Sequence, residues 1–103
     1  MPELNLGREA RRVADQVTHW TPARWCLRTR FGTTRADEMQ RFVQHLADVA
    51  AEHEGEPQRT VPKLSNDMAL PIQLHVIADD LPDLHVDVAG AQLRRVRDAL
   101  FDS

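Results

Sequence analysis

The strongest constraint on the fold is a helical repeat of apolar residues between positions 35 and 54. The side chains that recur at this spacing are Met39, Phe42, Val43, Leu46 and Ala50. Thr34 is a good N-cap with Asp37 three residues later, and Gly55 followed by Pro57 ends the pattern. The sequence therefore predicts an amphipathic helix over about residues 35–54.

The same spacing predicts a helix near each end of the chain. The first covers roughly residues 4–19, and its apolar stripe is Leu6, Ala10, Val13 and Val17, continued by Trp20. The last covers about residues 88–101 with Asp87 as its N-cap, and its stripe is Ala89, Leu93, Val96 and Leu100. Trp20 is expected in the core because it prolongs the stripe of the first helix.

Residues 69–81 fit two periods. Alternation would place Ile72, Leu74, Val76 and Ala78 on one face of a strand, whereas a helix would align Leu70, Leu74, Ile77 and Leu81. Ile77 breaks the alternation and Pro71 is acceptable in a first helical turn, so a helix is predicted. Ile72 and Val76 then form a second apolar face. Such a helix is either central in the bundle or half of a subunit interface.

Residues 20–35 differ from the rest of the chain in composition. They hold both tryptophans, Phe31, the only cysteine and four arginines, without one carboxylate. Residues 24–31 alternate as an edge strand would, but no confident partner strand is visible, so we predict a loop or a short helical turn begun at Thr21 and Pro22. In the alternative, residues 71–78 form a strand that pairs with residues 24–31, and the fold is α+β.

The length of 103 residues fits one compact domain. We predict a single all-α domain over residues 1–103, a small antiparallel four-helix bundle. Its five aromatic residues imply a thin core, which dimerisation would extend. One cysteine cannot form an internal disulfide, and no apolar run resembles a signal peptide or a membrane span, which predicts a cytoplasmic protein. Every cationic residue except Lys63 is arginine, which is typical of a GC-rich bacterial genome.

The sequence lacks the motifs of several classes of enzyme. The four glycines are never closer than 23 residues, so no phosphate-binding or dinucleotide-binding loop is present. Neither Ser65 nor Ser103 lies in a nucleophile elbow, and Cys26 has no histidine nearer in sequence than His19. We therefore predict a non-catalytic protein without a cofactor.

A metal site is not predicted either. His45, Asp48 and Glu52 have a helical spacing that resembles metal-binding bundles, but at 100° per residue they point away from the buried stripe. They are expected on a solvated face. The acidic run over residues 79–87 lacks the glycine and the ligand order of a calcium loop.

Charge is distributed in blocks of opposite sign. Residues 20–36 sum to +4, while residues 37–56 and 67–87 each sum to −5. Asp79 and Asp80 would lie in the last turn of a helix, where carboxylates oppose the helix dipole unless a cation faces them. The arginines of residues 24–35 are the predicted source of that cation, within one chain or from a second subunit.

Two functions follow from these features. The preferred one is contact with protein, including self-association, with Trp25 as the first candidate for an exposed anchor. The candidate contact residues are Trp25, Arg24, Arg28, Arg30, Phe31, Ile72 and Val76. The alternative is nucleic-acid binding through residues 20–35, in which arginines contact phosphates and an aromatic ring stacks on an unpaired base. The net charge of −3 and the acidic neighbouring helix disfavour it.

Overall fold

The computed structural model describes residues 5–57, 61, 67–81 and 87–101. Its helices are α1 (Leu6–Val17), α2 (Pro22–Trp25), α3 (Arg35–Glu54), α4 (Leu70–Asp80) and α5 (Asp87–Phe101), with a 3-10 turn at Asp67–Ala69. No β-strand occurs in the described ranges, and Arg28 and Thr34 form only an isolated bridge. The predicted all-α fold is confirmed, and the α+β alternative is wrong.

The ends of the helices follow local hydrogen-bonding rules. The Thr34 hydroxyl accepts from the backbone N–H of Asp37 at 3.1 Å, and the Asp37 carboxylate accepts from the N–H of Thr34 at 3.2 Å. Gly55 ends α3 with φ at 70°, a left-handed conformation that favours glycine. The Thr21 hydroxyl caps α2 by accepting from the backbone N–H of Arg24 at 3.3 Å. The capping box and the C-terminal glycine of α3 are therefore confirmed.

The four long helices form a ring in the order α1, α4, α3, α5. Helix α1 contacts α4 and α5, and α3 also contacts α4 and α5. Among the described residues, neither α1 with α3 nor α4 with α5 forms an extensive contact. Of the described long helices that follow one another in the chain, α1 with α3 and α4 with α5 therefore lie on the diagonals of the bundle, while α3 and α4 lie side by side.

The directions of the helices differ between neighbouring pairs. Helices α1 and α4 are antiparallel, since Gly7 lies beside Ala78 and Asp15 bonds to His75. A Cβ atom at Gly7 would lie 3.2 Å from the Ala78 carbonyl oxygen, so glycine permits this close approach. Helices α1 and α5 run in the same sense, because Glu9 contacts Arg97 while Trp20, beyond the end of α1, contacts Phe101. The expected antiparallel arrangement is thus wrong for α1 and α5.

The core lies between the four long helices and extends to α2. The largest side chains with almost no exposed area are Trp25, Phe42, Leu6, Met39, Leu46, Leu74, Leu93 and Leu100. Helix α4 contributes Leu70, Leu74 and Ala78, whereas Ile72 and Val76 face outward. It is therefore a surface helix, and the alternative in which α4 is central to the bundle is wrong.

Candidate interaction surfaces

The basic aromatic segment, residues 20–35, places Trp25 inside the protein. Helix α2 ends at Trp25, and the chain then returns to α3 through a 3.0 Å hydrogen bond from the Arg35 N–H to the Leu27 carbonyl. The Trp25 side chain is 0% exposed, with its ring centroid 4.8 Å from that of Trp20. The prediction of Trp25 as an exposed anchor is therefore wrong.

Trp20 is also buried, as predicted, and the guanidinium groups of two arginines contact its ring. The guanidinium carbons of Arg24 and Arg35 lie 4.8 Å and 5.0 Å from its ring centroid, within cation–π distance. Phe101 meets the same indole edge-on at 6.0 Å. Burial lowers the pKa of Arg35, and the nearby charge of Arg24 lowers it further. The aromatic and cationic groups of this cluster contact one another within the fold.

A tight turn over residues 28–34 organises the next part of the segment. The Thr29 N–H donates to the Thr33 carbonyl at 2.7 Å, and Gly32 adopts a φ of 81°. Arg28 donates from Nη1 to the Gly32 carbonyl at 2.8 Å. The Arg28 side chain therefore closes its own turn.

Buried Glu38 joins this turn to α5. Its carboxylate accepts from the Thr33 hydroxyl at 2.9 Å and from Arg95 Nε at 2.7 Å. Burial alone raises the pKa of Glu38, but the hydrogen bonds from Arg95 and Thr33 outweigh it, so the pKa lies below its ordinary value. The Arg95 guanidinium also lies 4.4 Å from the Phe31 ring centroid. Phe31 is thus partly covered by α5.

The acidic end of α4 takes its cation from α1. Asp79 pairs with Arg11 at 3.3 Å, and farther along the same helices Asp15 bonds to His75 at 2.7 Å. The prediction that the arginines of residues 24–35 face Asp79 within one chain is therefore wrong, and its form with a second subunit stays a prediction. The Asp80 side chain lies outside the described residues.

These positions bear on nucleic-acid binding. Both tryptophans are buried, so neither offers a ring face to an unpaired base. Phe31 is partly exposed, but the guanidinium groups of Arg95 and Arg30 lie 4.4 Å and 5.7 Å from its ring centroid. Arg24, Arg28 and Arg30 are exposed, and the partly covered Phe31 is the exposed aromatic ring of this segment.

The second candidate surface is the outer face of α4, defined here by Met68, Ile72 and Val76. Ile72 is 66% exposed and Val76 57%, and Met68 in the preceding 3-10 turn continues the spacing of four residues. On the inner face of the same helix, Leu70, Leu74 and Ala78 are buried. The predicted second apolar face on this helix is confirmed, and it faces outward.

The histidines and carboxylates do not form a metal site in the described ranges, where no group of three or more such side chains is placed to hold an ion. His45 was expected on a solvated face but is half-buried, and burial lowers its pKa despite the opposing charge of Asp48. Asp83 and His85 of the acidic run lie outside the described residues, and so does Asp87 except for its helical backbone.

Open grooves flank α5 on two sides in the part of the chain that the structure describes. One of about 410 Å³ lies against α1 and is lined by Arg12, Asp15, Gln16, Arg97 and Phe101. Arg12 and Arg97 both pair with Glu9, so the two guanidinium groups share one carboxylate within the fold. The other groove, of about 270 Å³, lies against α3 and is lined by Arg41, Gln44, His45, Asp48 and Gln92. There Asp48 accepts a hydrogen bond from Gln44 at 2.8 Å.

Comparisons with known proteins supply no relative for this chain: no family profile, curated protein or solved structure matches it. None of the described helices has both the length and the apolar character that crossing a membrane requires. What the fold and its surfaces define is a small all-α domain with an exposed apolar face on α4.

Proposed function

We propose that this chain is a non-catalytic cytoplasmic domain that acts through contacts with protein. The outer face of α4 is its contact surface. The observation that carries the proposal is the exposure of Ile72 and Val76, two large aliphatic side chains one helical turn apart.

The two faces of α4 explain why this exposure points to a contact. Leu70, Leu74 and Ala78 already fill the side of α4 that packs on α1 and α3, so Ile72 and Val76 are not needed to hold the helix in place. Single exposed apolar residues are common on protein surfaces, but an aligned set flanked by polar groups is typical of interaction sites. Here the flanking groups are His75 and Asp79.

Nucleic-acid binding through residues 20–35 has less support. Its stacking step needs an accessible ring, but both tryptophans of the segment are buried and the exposed Phe31 ring is partly covered by Arg95. The net charge of −3 also opposes phosphate binding. Contact with protein needs neither feature.

The test replaces the apolar groups of the face with polar ones of similar size. We expect Ile72→Gln with Val76→Gln to change the free energy of unfolding by less than about 1 kcal/mol, because both side chains are exposed. Retention of the native protein on a phenyl resin should fall clearly. Unfolding is measured by circular dichroism in urea at the lowest protein concentration that gives a signal.

Leu27→Gln is the matched control, since Leu27 is also about half exposed but lies outside the face. It should lower retention less than Ile72→Gln does. A loss of stability in the double variant comparable to that of a core substitution would show that the face serves the fold, and the proposal would be wrong.

A further inference from the structure

We infer that the partner of the outer face of α4 is a second copy of this chain, with the two α4 helices packed antiparallel across a twofold axis. The inference rests on the proposed function and adds the identity of the partner. It follows from the spacing of the apolar residues and from the placement of charge along α4.

The apolar spacing is self-complementary. Ile72 and Val76 lie two residues on either side of position 74, so an antiparallel pair centred there brings Ile72 of each copy to Val76 of the other. A twofold contact requires such a patch, because the same surface must serve both partners. The dimer therefore contains two equivalent contacts, each between Ile72 of one copy and Val76 of the other.

The charges of α4 favour the same register. The Ala69 N-cap makes no side-chain hydrogen bond, and the first turn holds no acidic residue. At the other end Asp79 pairs with Arg11 of its own chain at 3.3 Å but remains 66% exposed, at the end of the helix where a carboxylate opposes the dipole. Positions 69 and 79 are equidistant from residue 74, so the register that pairs Ile72 with Val76 also brings Asp79 of each copy to the α4 N-terminus of the other.

A parallel arrangement lacks this match. It would set the acidic end of α4 against the same end of the second copy, and the two Asp79 carboxylates would repel each other. In the antiparallel pair each negative end meets the positive end of a helix dipole. The charge pattern therefore favours the antiparallel orientation of the two copies.

The size of the face sets the strength of the contact. The outer face of α4 has three apolar side chains and extends about 12 Å along the helix axis. A standard stable interface uses about 20–30 residues and buries roughly 800 Å² on each partner. We therefore expect a weak dimer whose population rises with protein concentration.

Sedimentation velocity over a wide range of protein concentrations tests the inference. The wild-type chain should shift from monomer to dimer, while Ile72→Gln and Val76→Gln should each remain monomeric. Leu27→Gln should associate as the wild type does. Asp79→Lys should weaken the dimer about tenfold, because it places a cation at each helix N-terminus. The substitution also removes the pair with Arg11 within each chain, so urea unfolding of the variant at low protein concentration is measured alongside.

The outcomes separate this inference from the proposed function. A wild-type chain that stays monomeric throughout, or a dimer that survives Ile72→Gln with Val76→Gln, would overturn the second copy as the partner. Either result leaves the contact face standing if the double variant keeps its stability. Loss of the fold in that variant would instead overturn the proposed function.

Discussion

The basic aromatic segment at residues 20–35 and the outer face of α4 use their large side chains in opposite ways. In the segment, Trp20 and Trp25 are buried, and Arg24 and Arg35 lie against the Trp20 indole. On α4, Ile72 and Val76 remain in water although the helix has a well-packed inner face. The region richer in typical interface residues thus has both tryptophans buried, and its exposed large apolar side chains are Leu27 and Phe31.

This difference shows that residue type and availability are separate properties. An indole has a large apolar area, and its burial is favourable. The short α2 can adopt an orientation that places Trp25 in the core. Ile72 and Val76 have no such freedom, because rotating α4 to cover them would expose Leu74 and Ala78. In a long helix the helical period determines which side chains face outward. In the short α2 the course of the surrounding chain determines whether Trp25 is buried.

The largest effect should come from Trp25→Ala. Removing a fully buried indole leaves a cavity, and we expect the free energy of unfolding to fall by about 3–5 kcal/mol. Ile72→Ala should change it by less than about 1 kcal/mol at low protein concentration. Urea unfolding followed by circular dichroism measures both. Equal losses at the two positions would erase the contrast between the regions.

Glu38→Gln should have a smaller effect, one that depends on pH. It weakens the charge-assisted bonds to Arg95 and Thr33, and we expect a loss of about 1.5–3 kcal/mol at neutral pH. The native pKa of Glu38 is lowered, so its contribution is complete above the unfolded value of about 4.3 and is lost as the pH falls through the native value.

Urea unfolding at neutral pH and near pH 3 measures this dependence. The gap between wild type and Glu38→Gln should narrow on acidification. A gap that stays constant would show that the carboxylate acts through packing, without a role for its charge.

The smallest effect should come from Arg28→Gln with Arg30→Gln. Arg28 bonds within its own turn and Arg30 lies near the Phe31 ring, both at the surface. We expect the melting temperature to change by no more than about 3 °C, with little dependence on salt. A larger drop at low salt than at high salt would mean that these arginines also pair with an acidic surface, and residues 20–35 would regain a role in docking.

The sequence was sufficient to predict those parts of the fold that depend on residues close together in the chain. The capping box of Thr34 and Asp37 and the glycine at position 55 act within a few residues of one another, so the ends of α3 follow from adjacent side chains. Helix α4 was also predictable, since Ile77 and Pro71 fit a helix better than a strand. The exposed pair Ile72 and Val76 then follows from the period of that helix.

The remaining features depend on residues far apart in the chain. Arg11 and Asp79 are 68 positions apart, so no local pattern joins them. Helix α2 has four residues, too few for a periodic stripe that would mark Trp25 as buried. The partial burial of His45 reflects the groove against α5, which only the packed bundle creates.

The ring order of the helices also governs how the chain reaches this fold. Contacts between packed helices close long loops, such as the 88 positions between Glu9 and Arg97 and the 57 between Glu38 and Arg95. Since α1 and α3 meet chiefly through α4 and α5, the first half of the chain has no stable hairpin of long helices to nucleate folding. Loop closure must precede these contacts, so the domain should fold more slowly than an up-and-down bundle of equal size, and in a single cooperative step.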